Sequence, residues 1–105
     1  MFKYIVTAAV ALLATPAFGQ QQDFCGNLGG LAQEFLSQRY DGVPMSTQVA
    51  ILNDSVEPGA LRELIRVVMA QAYQEPLNRR TRADHVAAFR NRWEVACYEA
   101  EGAMA

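Results

Sequence analysis

His85 is the single histidine of the chain, and Asp84 precedes it. An imidazole titrates near neutral pH, so a general base or a metal ligand is the chemistry to weigh first. A metal site needs further nitrogen, sulfur or carboxylate ligands at set spacings. There is no second histidine to supply one, so no metal and no cofactor is expected. Ser37 and Ser55 lie beside turn signals and Ser46 stands at a capping position; none has the G-x-S-x-G context of a nucleophile elbow. Glu99 and Glu101 are close in sequence but point to different sides of a helix. Glu94 follows Arg90 by four, an ordinary surface pair worth a few tenths of a kcal/mol. Gly29-Gly30 lacks both the preceding strand and the lysine of a phosphate-binding loop. With no catalytic constellation, the chain is expected to be non-catalytic.

The least ordinary cluster is Asn78-Arg79-Arg80-Thr81-Arg82. Cations where a helix begins oppose its dipole, yet the free N–H groups at the same end attract anions. Arg79, Arg80, Arg82 and His85 are therefore the candidate contacts for a small anion or an acidic protein surface. The competing reading is a solvated loop whose arginines pair with nearby acids. Phe89 and Trp93 read as core packing. Tyr73 and Tyr98 lie off their helices' main stripes, and each either closes a second packing face or presents an aromatic to a partner.

Helices must position these groups. In Leu61–Tyr73, Leu61, Leu64, Ile65, Val68 and Ala72 share one helical face, which predicts a central core helix. Asp23 is placed to cap a first helix carrying Phe24, Leu28, Leu31, Ala32, Phe35 and Leu36. Gly26, Gly29 and Gly30 either loosen its first turn or admit a close neighbour. Gly42 and Pro44 stop it. Ser46 or Thr47 is expected to cap a short second helix reaching about Asn53, with a turn at Asn53-Asp54-Ser55. Pro58 is expected at the first position of the central helix. Thr81 is expected to cap the last helix, with Asp84 in the capping-box place. Val86, Phe89, Trp93, Ala96, Cys97 and Ala100 line its face, and Gly102 ends it. The fold expected is all-α, a small up-down bundle of four helices whose second is short.

The start of the chain sets the compartment. Met1-Phe2-Lys3, the apolar run Tyr4–Ala14, Pro16 and the small residues of Ala17-Phe18-Gly19 form a secretory signal peptide over residues 1–19. The run is shorter than the ~20 residues that span a bilayer, so cleavage leaves no stable membrane anchor. One domain, 20–105, is expected in the periplasm or outside the cell. Lys3 is the only lysine and leaves with the leader, so eleven acids face arginines alone and the domain is mildly acidic. Nothing in that balance favours nucleic acid. Cys25 and Cys97 are an even pair in an exported chain and read as a disulfide joining the first and last helices. Free buried thiols are the alternative.

Cys25, the Arg39–Gly42 stop, Met45-Ser46, the Ala72-Tyr73 end with Pro76, and Phe89, Trp93 and Cys97 together resemble a loose group of small exported proteobacterial proteins of unknown function. The resemblance implies a helical periplasmic domain and carries no activity or site residue. Acid-stress periplasmic chaperones are similar in size and compartment. They enclose only the middle of the chain between their cysteines and are rich in lysine, unlike this sequence. The expected function is a periplasmic or secreted binding or interaction module without catalysis. The alternative is an acid-stress chaperone, in which protonation of the acids leaves the arginines repelling one another. A small enzyme using His85, Asp84 and the arginines on an anionic substrate is a third reading.

Overall fold

The carboxylate of Asp23 accepts the Gly26 amide at 3.1 Å and so opens the first helix, α1, Phe24–Tyr40. A computed structural model describes residues 23–104; the leader read over residues 1–19 lies outside them. The end of α1 is a Schellman motif. The Gly42 amide donates to Arg39 O and the Val43 amide to Gln38 O, each at 3.0 Å. Gly42 holds φ at 86°, where a side chain would be strained.

The second helix, α2, is Met45–Ser55 and begins earlier than a Ser46 or Thr47 cap would place it. Pro44 occupies the capping position, its carbonyl accepting the Thr47 amide at 3.1 Å. The expected turn at Asn53–Ser55 is the last turn of this helix. It persists because Arg62, from the next helix, donates to the carbonyls of Asn53 and Val56 at 2.9 Å each. A guanidinium there also meets the negative end of the helix dipole.

The third helix, α3, is Ala60–Ala72, with Gly59 before it and Pro58 outside it. A single 3-10 turn, Arg79–Thr81, leads into α4, Arg82–Met104. Thr81 does not cap α4, since its hydroxyl donates to Asn78 O at 3.3 Å. Asn78 is the capping residue instead, accepting the Arg80 amide at 3.1 Å and opening the 3-10 turn. Gly102 does not stop α4 either, which continues to Met104.

Four helices and no strands form among the described residues, in the expected up-down order. The last helix packs on α1 rather than on α3; α3 also packs on α1, and α2 packs on α3. Leu28, Ala32, Phe35, Leu36 and Tyr40 of α1 are buried between α3 and α4. In α3, Ile65, Val68, Met69 and Ala72 are buried, but Leu61 at the start of its stripe is 48% exposed. Thirteen residues of α3 are too few to cover the twenty-three of α4. Thus Val86 and Phe89 are buried, Trp93 and Cys97 are partly covered, and Ala96 and Ala100 are exposed. An apolar groove of about 330 Å³ remains between Phe24, Leu28, Leu64, Trp93, Ala96 and Ala100.

Two features join α1 to α4. Cys25 and Cys97 form a disulfide with Cα atoms 5.5 Å apart. At Gly29 a Cβ would come within 2.6 Å of Glu94 Oε2. Of the two roles open to these glycines, Gly29 has that of admitting a close neighbour.

Candidate functional site

The cluster Arg79-Arg80-Thr81-Arg82 is held against the end of α1. Arg79 Nη1 donates to Tyr40 O at 2.9 Å, and Arg82 Nη2 donates to Ser37 O at 3.3 Å. Both carbonyls belong to the last turn of α1, and Ser37 O also accepts the Asp41 amide at 3.0 Å. Arg82 also pairs with Asp41 at 3.0 Å. The two guanidinium carbons stand 5.9 Å and 5.3 Å from the Tyr40 ring centroid, in cation–π contact. The same device recurs at α3, where Arg39 donates to Ala72 O at 3.1 Å and faces the Tyr73 ring.

These arginines wall an open cleft of about 610 Å³ between α1 and the first half of α4. Arg79, Arg80, Arg82 and Arg90 contribute charge, Gln33 and Asn91 contribute amides, and Ala83, Val86 and Ala87 form an apolar floor. Arg90 is neutralised by Glu94 at 2.7 Å and donates to Gln33 Oε1 at 2.7 Å. Neither Arg79 nor Arg80 has a carboxylate partner among the described residues, and the Arg80 guanidinium has no protein partner there. Three of the four expected contacts therefore converge on one cleft.

His85, the fourth, does not line it. Its ring lies behind the arginines, with Nδ1 2.5 Å from the Tyr40 hydroxyl and Nε2 2.8 Å from Glu75 Oε1. Glu75 also receives Arg92 Nη2 at 3.0 Å. Burial pushes the Glu75 carboxyl up, but the His85 hydrogen bond and the Arg92 charge outweigh it and hold the group below its ordinary value. Glu75 as a carboxylate accepts from Nε2–H, so the tautomer assigned to His85 carries its proton on Nε2. Nδ1 then accepts the Tyr40 O–H, while Tyr40 Oη accepts the Asn78 amide at 3.1 Å. The Tyr40 hydroxyl, both ring nitrogens of His85 and both carboxylate oxygens of Glu75 are thus hydrogen-bonded.

The order of hydroxyl, imidazole and carboxylate is that of an activated nucleophile. Tyr40 is only 1% exposed, so no substrate reaches its hydroxyl. The network fixes Tyr40, and with it Arg79, rather than performing a reaction. Tyr40 and Glu75 are the residues that sequence reasoning missed. Tyr40 stood at a helix stop and Glu75 before a proline, and neither position signals a contact with residue 85.

At the opposite end of α1, Tyr98 donates to Asp23 Oδ1 at 2.5 Å. That hydrogen bond, then the Gly26 amide, lowers the Asp23 carboxyl, and the Asp23 contact in turn raises the Tyr98 phenol. Cys25 Sγ, Cys97 Sγ and a Glu101 oxygen lie within 4.8 Å of one another. The two sulfurs are bonded to each other and offer no thiolate to a metal. No helix among the described residues is long and apolar enough to cross a membrane. No family model matches this chain, and no curated protein or solved structure is significantly similar to it.

Proposed function

We propose that this protein is an exported, non-catalytic binding module that recognises an acidic group through the arginine-lined cleft. Export rests on the leader pattern of residues 1–19 and on a disulfide of the kind oxidising compartments sustain. The loose resemblance of the sequence to small exported proteobacterial proteins of unknown function points the same way. The observation that carries the binding function is the pairing state of the cleft's arginines. Among the described residues Arg79 is oriented by the end of α1 and Arg80 has no protein partner, so two cations without carboxylates face one cavity. Guanidinium groups held in place recognise carboxylates and phosphates with geometric selectivity. His85 contributes as a positioning residue, acting through Tyr40.

The test is a titration of the oxidised protein with inorganic phosphate, followed by amide and arginine side-chain NMR signals. Saturable shifts across Arg79–Asp84 are expected. Unchanged signals at millimolar phosphate would remove this function.

One observation favours the acid-stress chaperone as a second reading. The Glu75 carboxylate that supports the buried network is a group acid protonates, and the apolar groove beside Trp93 adjoins surface that opening would expose. Suppression of client aggregation at low pH, measured with and without the protein, tests it. No suppression eliminates it.

A further inference from the structure

The cleft is much longer than a simple anion requires. From Arg82 to Asn91 it follows α4 for nine residues, about 14 Å at 1.5 Å per residue. Its two ends differ in chemistry. One end holds Arg79 and Arg80 without carboxylate partners. The other holds Gln33 and Asn91 around an Arg90 that Glu94 already neutralises. Gln33 gives its oxygen to Arg90 and keeps its NH₂ free for another acceptor. The Asn91 amide has no protein partner among the described residues, and it both donates and accepts. Small side chains, Ala83 and Ala87, pave the floor between the ends.

This layout discriminates between ligand classes. Nucleobases and sugar rings are commonly held by stacking on aromatic side chains. Among the described residues no aromatic side chain lines this cleft. An extended peptide needs a shallow floor, amides able to pair with its backbone, and cations for its acidic groups. Arginine clusters recognise acidic motifs in that way. At about 3.3 Å per residue, roughly four extended residues match the 14 Å length.

We infer that the cleft takes an extended acidic peptide segment, with its carboxylates at Arg79 and Arg80 and its backbone against Gln33 and Asn91. This inference rests on the anion-binding function proposed above and adds the partner class. Arg80 is the contact most free to respond, since its guanidinium does no work within the fold. Asn91 is exposed on α4, so its removal leaves the core unchanged.

The experiment titrates the oxidised protein with three probes: acetylated Ala-Ala-Asp-Glu, its Ala-Ala-Asn-Gln counterpart with an amidated end, and inorganic phosphate. The acidic tetrapeptide is expected to bind at least tenfold more tightly than phosphate and to shift signals from Arg80 through Asn91. The uncharged peptide is expected not to bind. Arg80→Ala should weaken phosphate and acidic peptide alike, by about tenfold, with the thermal midpoint unchanged. Asn91→Ala should weaken the peptide several-fold and leave phosphate unaltered. If phosphate binds as tightly as the peptide, and shifts stop at Arg82, the peptide inference fails while the anion site stands. If none of the probes binds, both fail. Binding of the uncharged peptide with equal affinity would also overturn the inference.

Discussion

Tyr40 Oη and His85 Nδ1 lie 2.5 Å apart, with the two rings edge to face at an interplanar angle of 86°. The contact joins the last residue of α1 to the first turn of α4 across a sequence separation of 45. It is the inner half of a polar chain that ends at Glu75 and Arg92. The outer face of the same tyrosine carries Arg79 and Arg82. One buried ring thus connects a hydrogen-bond network to the cationic wall of the cleft.

Tyr40→Phe is expected to keep the ring and its arginine contacts but to strand His85 Nδ1 and the Asn78 amide. Leaving buried polar groups unpaired costs about 1–3 kcal/mol. For a domain of this size the melting midpoint should fall about 4–8 °C per kcal/mol. Thermal unfolding followed by circular dichroism measures it, and faster exchange of the Asn78 amide locates it. An unchanged midpoint would mean that the network contributes nothing to stability.

Acid should weaken the fold through Glu75. Its folded carboxyl titrates below the ordinary value of 4.5, so the unfolded chain binds the proton more tightly. Stability from this group is therefore complete above about pH 4.5 and is lost as pH falls through the lower, folded value. Glu75→Gln should lower stability at pH 7 and flatten the decline on acidification. Urea midpoints from pH 7 to pH 3 decide this. Parallel curves for the two proteins would assign the acid sensitivity elsewhere, with Asp23, also lowered by its Tyr98 hydrogen bond, the next group to test.

The helices and the disulfide were legible because periodicity, caps and cysteine parity are local or pairwise signals. Gly42 and Pro44 marked the end of α1, and two cysteines permit one bond. The order of packing was less legible. The stripe of α3 is the cleanest in the chain, which suggested a central helix, yet Gly29, one of the glycines that seemed to weaken α1, is where α4 approaches it closely. The end of α2 reads too early in the sequence because a distant arginine, Arg62, satisfies the carbonyls there. The arginine run showed its charge in the sequence, but not that α1 would fix Arg79 and Arg82 while leaving Arg80 free. The Tyr40–His85–Glu75 chain joins three segments without a shared motif and had no signature to read.

Removal of the disulfide by Cys25→Ser with Cys97→Ser is expected to destabilise the protein by about 2–4 kcal/mol. The bond closes a separation of 72 residues, for which the chain-entropy model gives about 4 kcal/mol as its upper guide. Helical circular dichroism should persist at 25 °C with a lower urea midpoint. Exchange should quicken most for amides near Phe24–Leu28 and Ala96–Ala100. A mass showing two free thiols in protein isolated without reductant would contradict the bond itself.

Gly29 and Glu94 provide a test in which the sign of one substitution depends on the other residue. Alanine in a helix interior is worth about 1 kcal/mol over glycine. At position 29 a Cβ would meet the Glu94 side chain, its Oε2 lying 2.6 Å away. That oxygen is the one that holds Arg90 Nε at 2.7 Å. Gly29→Ala must therefore displace Glu94 and release Arg90, or push α4 away from α1. The single variant is expected to lose stability despite its better helix propensity. In a Glu94→Ala background the obstruction is gone, and the same change should be neutral or stabilising by up to about 1 kcal/mol. The double-mutant cycle should return a coupling of about 0.5–3 kcal/mol. Urea unfolding of the four proteins at neutral pH measures it. Equal effects of Gly29→Ala in both backgrounds would show that the approach of α4 to α1 does not depend on this glycine.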